Sequence, residues 1–140
     1  MREPVFGTFR RDLIFTFDGS EDQPPNVIFG LTGRDQITFS SPGNDLSFGG
    51  QGRDSFRDVV PGTGTGDDIA FGGLGQDFYT YNDGDDIFVG GVGFDSFNSP
   101  NTRFVDLDEG LFRDVLTSED GDEVVLWGVE TISVLFVDDF

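Results

Sequence analysis

The 140-residue chain is long enough for one domain and is strongly acidic, with 27 Asp and Glu against 8 Lys and Arg for a formal charge of −19. Such a balance repels nucleic acid and anionic membrane surfaces, and it raises the free energy of any compact state that lacks a cation. With neither Cys nor His in the chain, disulfide frameworks, thiolate metal sites, zinc-protease sites and Ser-His-Asp triads are excluded. An acidic chain is often a solvated, disordered one, but 17 Phe argue against that here, because disordered chains are poor in aromatics. No apolar run reaches membrane-spanning length, and the N-terminus lacks the basic-then-apolar signature of a signal peptide.

In chain order, Leu13-Ile14-Phe15-Thr16-Phe17 alternates and carries β-branched and aromatic residues, which predicts a strand. Asp18-Gly19-Ser20 stops it, and Pro24-Pro25 forces an extended entry into the next segment. Residues 1–25 stand outside the repeat that begins there and read as an N-terminal cap over an open end.

Between Asn26 and Asn98 a glycine-rich loop ending in Asp alternates with a short strand-like segment. The clearest copies are Gly49-Gly50-Gln51-Gly52-Arg53-Asp54-Ser55-Phe56-Arg57, Gly72-Gly73-Leu74-Gly75-Gln76-Asp77-Phe78-Tyr79-Thr80 and Gly90-Gly91-Val92-Gly93-Phe94-Asp95-Ser96-Phe97-Asn98. The loop-ending markers are Asn26, Asp35, Asp45, Asp54, Asp68, Asp77, Asp86 and Asp95, most of them nine residues apart. Extra residues before Asp68, around Asp58-Val59-Val60-Pro61-Gly62, should bulge from one loop, since loops tolerate added length better than ladders do.

The pattern G-G-x-G-x-D-x-U-x resembles the calcium-binding nonapeptide of RTX (repeats-in-toxin, hemolysin-type) proteins. The resemblance covers roughly half the chain. It implies an all-β fold, a right-handed parallel β-roll (β-solenoid) spanning 26–98, with capping segments at 1–25 and 99–140. Two nonapeptides then make one turn, so alternate repeats stack on the same wall. Wall A holds the repeats marked by Asp35, Asp54, Asp77 and Asp95, with Ile37, Phe56, Tyr79 and Phe97 facing in and mostly polar neighbours facing out. Wall B holds those marked by Asn26, Asp45, Asp68 and Asp86, and its inward positions are Ile28, Ser47, Ala70 and Phe88. Strand alternation turns two apolar ladders of wall B outward, Val27, Leu46, Ile69 and Ile87, and Phe29, Phe48, Phe71 and Val89. Fully covered, these eight side chains would contribute on the order of 10–20 kcal/mol, so they mark a candidate interface or a surface for the chain's own termini to pack on.

Calcium takes six to eight hard oxygen ligands, more than one loop supplies, but two adjacent loops on one edge suffice if each gives a carboxylate and carbonyls. By the family pattern the ligands are the marker Asp and carbonyls around the second and fourth loop positions. These are Gly50 and Gly52 with Asp54, Gly64 and Gly66 with Asp68, Gly73 and Gly75 with Asp77, and Gly91 and Gly93 with Asp95. Loops with one matching glycine pair Gly33 with Asp35, Gly43 with Asp45, and Gly84 with Asp86. Carboxylates stacked at the rung spacing of roughly 4.8 Å repel by on the order of 3 kcal/mol per pair at an effective dielectric of about 20. An ion between them reverses the sign, so metal binding and folding should be one event. Intervals of 18 residues favour the pairs Asp68/Asp86 and Asp77/Asp95, and uncharged Asn26 weakens any site shared with Asp45.

Past Asn98 the loops fade. Phe104-Val105-Asp106-Leu107 and the stretch from Val124 to Ile132 resemble segments that flank RTX blocks, Gly121-Asp122-Glu123 reads as a degenerate loop with Glu123 in the Asp slot, and Ile132 to Val137 reads as a strand. The ending Val137-Asp138-Asp139-Phe140 is weakly similar to the C-terminal signals of type I secretion. The resemblance therefore implies a secreted or cell-surface protein that folds on calcium outside the cell. The alternative expectation is a structural or adhesive subunit assembling, with itself or another protein, through the apolar face of wall B. No catalytic set is present, and acidic pairs such as Asp85 and Asp86 belong to the loop register, so no enzymatic activity is expected. Ice binding would need a regular Thr or Asn ladder, which Gln51, Leu74 and Val92 do not supply.

Overall fold

The computed structural model describes residues 3–15, 25–39, 43–58 and 66–136, and these form strands and loops with no helix. Fourteen strands run in chain order: β1 (Val5–Phe6), β2 (Leu13–Phe15), β3 (Val27–Phe29), β4 (Thr32–Gly33), β5 (Gln36–Phe39), β6 (Leu46–Gly52) and β7 (Ser55–Asp58), then β8 (Ile69–Gly75), β9 (Phe78–Thr80), β10 (Ile87–Val92), β11 (Ser96–Glu109), β12 (Arg113–Ser118), β13 (Glu123–Trp127) and β14 (Thr131–Phe136). They join in one curled sheet ordered β1-β3-β6-β8-β10-β13-β12-β11-β9-β7-β5-β2. That path descends wall B through parallel neighbours, crosses one end through antiparallel β12, and climbs wall A through parallel neighbours. The molecule is a two-walled parallel β-roll.

The nine-residue repeat sets the register. Pairing of Leu46 with Ile69 and Ile69 with Ile87 stacks one wall, and pairing of Ile37 with Phe56, Phe56 with Tyr79 and Tyr79 with Phe97 stacks the other. Period-two alternation sends Ile28, Ala70, Phe88, Ile37, Phe56, Tyr79 and Phe97 inward, where all are fully buried, and Ser47 with them. The small Ser47 and Ala70 of wall B leave room for the rings of wall A, so Tyr79 lies 5.2 Å from Phe88 across the roll and 6.0 Å from Phe97 along it.

The segments at either end extend the sheet. β1 pairs with β3 and β2 with β5, so Gly7 to Phe15 form a further turn in the same register as the repeats, where sequence alone placed a cap outside them. Thr16 and Phe17 of the expected strand, and Val137 of the last one, lie outside the described residues. At the other end the β11–β12 hairpin and β13 close the roll over Phe104, Leu116, Val124 and Leu126, which continue the core.

The outward ladders of wall B are where strand alternation puts them. Phe6, Phe29, Phe48 and Phe71 stack with ring centroids 5.1–5.2 Å apart and planes within 13° of parallel. Val27, Phe29, Leu46, Phe48, Ile69, Phe71, Ile87 and Val89 are all half-buried. Among the described residues, the strands that carry them contact chiefly the strands beside them in the sheet, and β1 and β13 lengthen the wall. Part of the burial energy of this face is thus already realised by stacking along it.

Candidate metal centre

Loops cross between the walls along two edges, and each edge carries a column of carboxylates. On the edge where the chain passes from wall B to wall A, the backbone N–H of each marker donates to the carboxylate of the marker one rung on. Asp12 donates to Asp35, Asp35 to Asp54, Asp54 to Asp77 and Asp77 to Asp95, each at 2.8 Å. Asp95 N–H donates to Oε2 of Glu130 at 2.7 Å. On the other edge Asn26 N–H donates to Oδ1 of Asp45 (2.9 Å), Asp45 to Asp68 (2.8 Å) and Asp68 to Asp86 (2.9 Å). The insertion before Asp68 leaves both columns continuous, since Asp45/Asp68 and Asp54/Asp77 are joined like the rest.

These bonds use only one oxygen of each carboxylate. The other, Oδ2, is buried without a hydrogen-bond partner among the described residues in Asp35, Asp54, Asp68, Asp77 and Asp95. All five residues are essentially inaccessible to water. A buried carboxylate oxygen left in that condition costs several kcal/mol while ionised. Burial accordingly pushes these groups upward, Asp54 to about 6, Asp77 to about 7 and Asp68 to about 9, with Asp35 and Asp95 also raised. The neighbouring backbone N–H pulls each one down, and the next carboxylate in the column pushes it up again.

Asp86 differs. Its Oδ2 accepts the hydroxyl of Tyr79 at 2.8 Å from inside the core, and burial raises it as well. In Asp45, Oδ1 takes both the N–H and the side-chain amide of Asn26, at 2.9 and 2.8 Å. The tyrosine therefore takes up at Asp86 the oxygen that stands bare in Asp68.

The orphaned oxygens have company. A Cβ built on Gly49 would collide with Oδ2 of Asp54 and the carbonyl of Gly72, and one on Gly72 with Oδ2 of Asp77 and the carbonyl of Gly90. Gly30 meets Asp35 and Gly49 in the same way, and Gly90 meets Asp95 and Gly128. At each first-position glycine a carboxylate oxygen of its own loop and a carbonyl oxygen of the next rung thus come together, closer to the backbone than any side chain would allow. The sheet pairing passes over these positions, running from Phe48/Phe71 to Gly50/Gly73. Hard oxygens from two successive rungs, one of them anionic, form a donor set suited to calcium. Among the described residues no three acidic side chains gather into a metal cage, so an ion here would depend on backbone carbonyls.

Sequence reasoning weighted the second and fourth loop glycines. The structure gives these a task in rung stacking. Gly50, Gly73 and Gly91 have φ of 107°, 109° and 104°, and Gly33, Gly52, Gly75 and Gly93 lie between 136° and 144°. A side chain at any of them would strike a carbonyl of the preceding rung. On the other edge the carbonyl of Gly43 stacks on Gly66 and that of Gly66 on Gly84, while Gly64 lies outside the described residues. The reading overlooked Asp12, Glu130 and the first-position glycines Gly7, Gly30, Gly49, Gly72 and Gly90. The signal for the first turn is Gly7 five residues before Asp12-Leu13-Ile14-Phe15. Glu123, expected in the Asp slot, sits one position early. Its N–H donates to Asp85 Oδ1 at 2.7 Å, and the pairing of Ile87 with Val125 puts buried Val124 opposite Asp86.

No protein-family model matches this chain, and no curated protein compared with it does either. No helix among the described residues is long and apolar enough to cross a membrane.

Proposed function

We propose that the chain is a calcium-binding RTX-type β-roll module of an exported protein, one that folds and is stabilised when calcium reaches it outside the cell. The observation that carries this reading is the run of five buried carboxylate oxygens without hydrogen-bond partners among the described residues, four of them beside a first-position glycine and a next-rung carbonyl. Asp35, Asp54, Asp77 and Asp95 with Gly30, Gly49, Gly72 and Gly90 would hold ions on one edge, and Asp68 with Gly43 and Gly66 on the other. The bound ion supplies the positive charge that lets these carboxylates ionise inside the fold. The chain's own residues do the remainder: Oδ1 of each Asp accepts the backbone N–H of the preceding rung's marker, and glycine keeps the space between rungs free of side-chain carbon. No catalytic role is proposed.

Equilibrium dialysis against calcium tests the reading. Several ions should bind per chain, with magnesium a poor competitor because it demands a tighter octahedral shell. Absence of stoichiometric binding at millimolar calcium would overturn it. The half-exposed Phe29/Phe48/Phe71 ladder favours a second reading, a structural or adhesive subunit that assembles through wall B.

A further inference from the structure

The residue just before each marker lies in a loop, and part of each edge fills that position with charge of one sign, while Gln76 and Phe94 on one edge and Pro25 and Asn44 on the other are uncharged. On one edge it is Arg11, Arg34 and Arg53, on consecutive rungs carried by β2, β5 and β7. All three are exposed, and none makes an ion pair or side-chain hydrogen bond with a described residue. Three of the eight basic residues in a chain of charge −19 therefore stand in one file. On the other edge the same position holds Asn44, Asp67 and Asp85, with Glu123 aligned behind them. Asp67 N–H donates to Asn44 Oδ1 at 2.8 Å, Asp85 N–H to Asp67 Oδ1 at 3.0 Å, and Glu123 N–H to Asp85 Oδ1 at 2.7 Å. Asp67, Asp85 and Glu123 are exposed.

We infer that the arginine file of one molecule docks on the acidic file of a second copy of this chain. Both files come from one repeat position, so both advance by one residue per rung, about 4.8 Å. Two files with the same rise meet three against three without adjustment. The two surfaces differ, so the contact is head-to-tail and leaves a free arginine file and a free acidic file at the ends of any assembly. Exposed charges make such a contact weak, steered and strongly dependent on salt. This goes beyond the calcium reading and uses neither the orphaned carboxylates nor the aromatic ladder.

Sedimentation velocity of the full chain in calcium, over a concentration series at low and high ionic strength, tests the contact. Self-association is expected at low salt and its loss at high salt. Arg34→Glu combined with Arg53→Glu should weaken it by about tenfold or more. Asp67→Asn with Asp85→Asn should do the same while keeping the column intact, because Asn44 already accepts the equivalent hydrogen bond. Arg57→Glu with Arg103→Glu, exposed and off the file, adds equal negative charge and should leave association close to wild type. A wild-type chain that stays monomeric at low salt overturns the inference, as does an equal response from the on-file and off-file arginine pairs. Circular dichroism confirms that each variant is folded, and the exposed arginine pair decides the matter if the Asn pair is not.

Discussion

At Leu31 the backbone takes a φ of 78°, in the left-handed region that the next three loops give to Gly50, Gly73 and Gly91. A branched residue there carries a strain of order 1 kcal/mol. Leu31→Gly is therefore expected to stabilise the folded chain by about 1 kcal/mol, read as a higher midpoint in denaturant with calcium present. A fall in stability would show that the leucine side chain contributes more than the strain removes. The orphaned carboxylates make a second prediction, on pH. Their folded-state pKa values lie above the ordinary aspartate value near 4, Asp54 at about 6, Asp77 at about 7 and Asp68 at about 9. The metal-free fold then binds more protons than the unfolded chain, and stability falls as pH rises through that window. In chelator the thermal midpoint should be higher at pH 5 than at pH 8. With saturating calcium the carboxylates would be ionised in the fold as they are in the unfolded chain above about pH 5, so the midpoint should change little over the same range. A chelator midpoint that climbs with pH contradicts the burial assigned to these groups.

Strand by strand, the two faces of each wall differ in worth. Phe56 is fully buried, whereas Phe48 is half-buried with Phe29 and Phe71 stacked on either side of it. Phe56→Ala should cost about 3–5 kcal/mol and Phe48→Ala only about 1–2 kcal/mol, the stacking share of a half-exposed ring. Equal losses in chemical denaturation would mean that another layer covers wall B. The strands themselves were legible from the marker spacing, because a nine-residue step fixes both the pairing register and which side chain faces in. Tyr79 inward and Phe71 outward followed from the repeat's resemblance to the RTX nonapeptide together with strand alternation. Asp12 escaped because its loop keeps a single glycine, Gly7, and fills the remaining positions with Thr8, Phe9, Arg10 and Arg11. Glu130 escaped because Gly128 and Val129 shorten the last loop, and Glu123 was misplaced because antiparallel β12 breaks the parallel step that the repeat depends on. The orphaned Oδ2 atoms have no sequence signature, since they depend on which oxygen the neighbouring rung's N–H selects.

The whole roll is a stack of rungs whose edges repeat a buried, unbalanced negative charge, while its interior is an aromatic core of ordinary kind. Ile37, Phe56, Tyr79, Phe88 and Phe97 favour the compact state at any calcium level. The columns oppose it at neutral pH unless a cation enters them, and the net charge of −19 adds to that opposition. Since no rung holds without the ones beside it, loss of the columns should be felt along the length of the sheet. On the proposed reading, calcium binding and folding are one equilibrium. The direct test is a calcium titration from chelator at neutral pH and physiological salt, monitored by far-ultraviolet circular dichroism. A cooperative gain of β-sheet signal with rising calcium, reversed by chelator, is the predicted result. The same β signal in chelator as in millimolar calcium would contradict it.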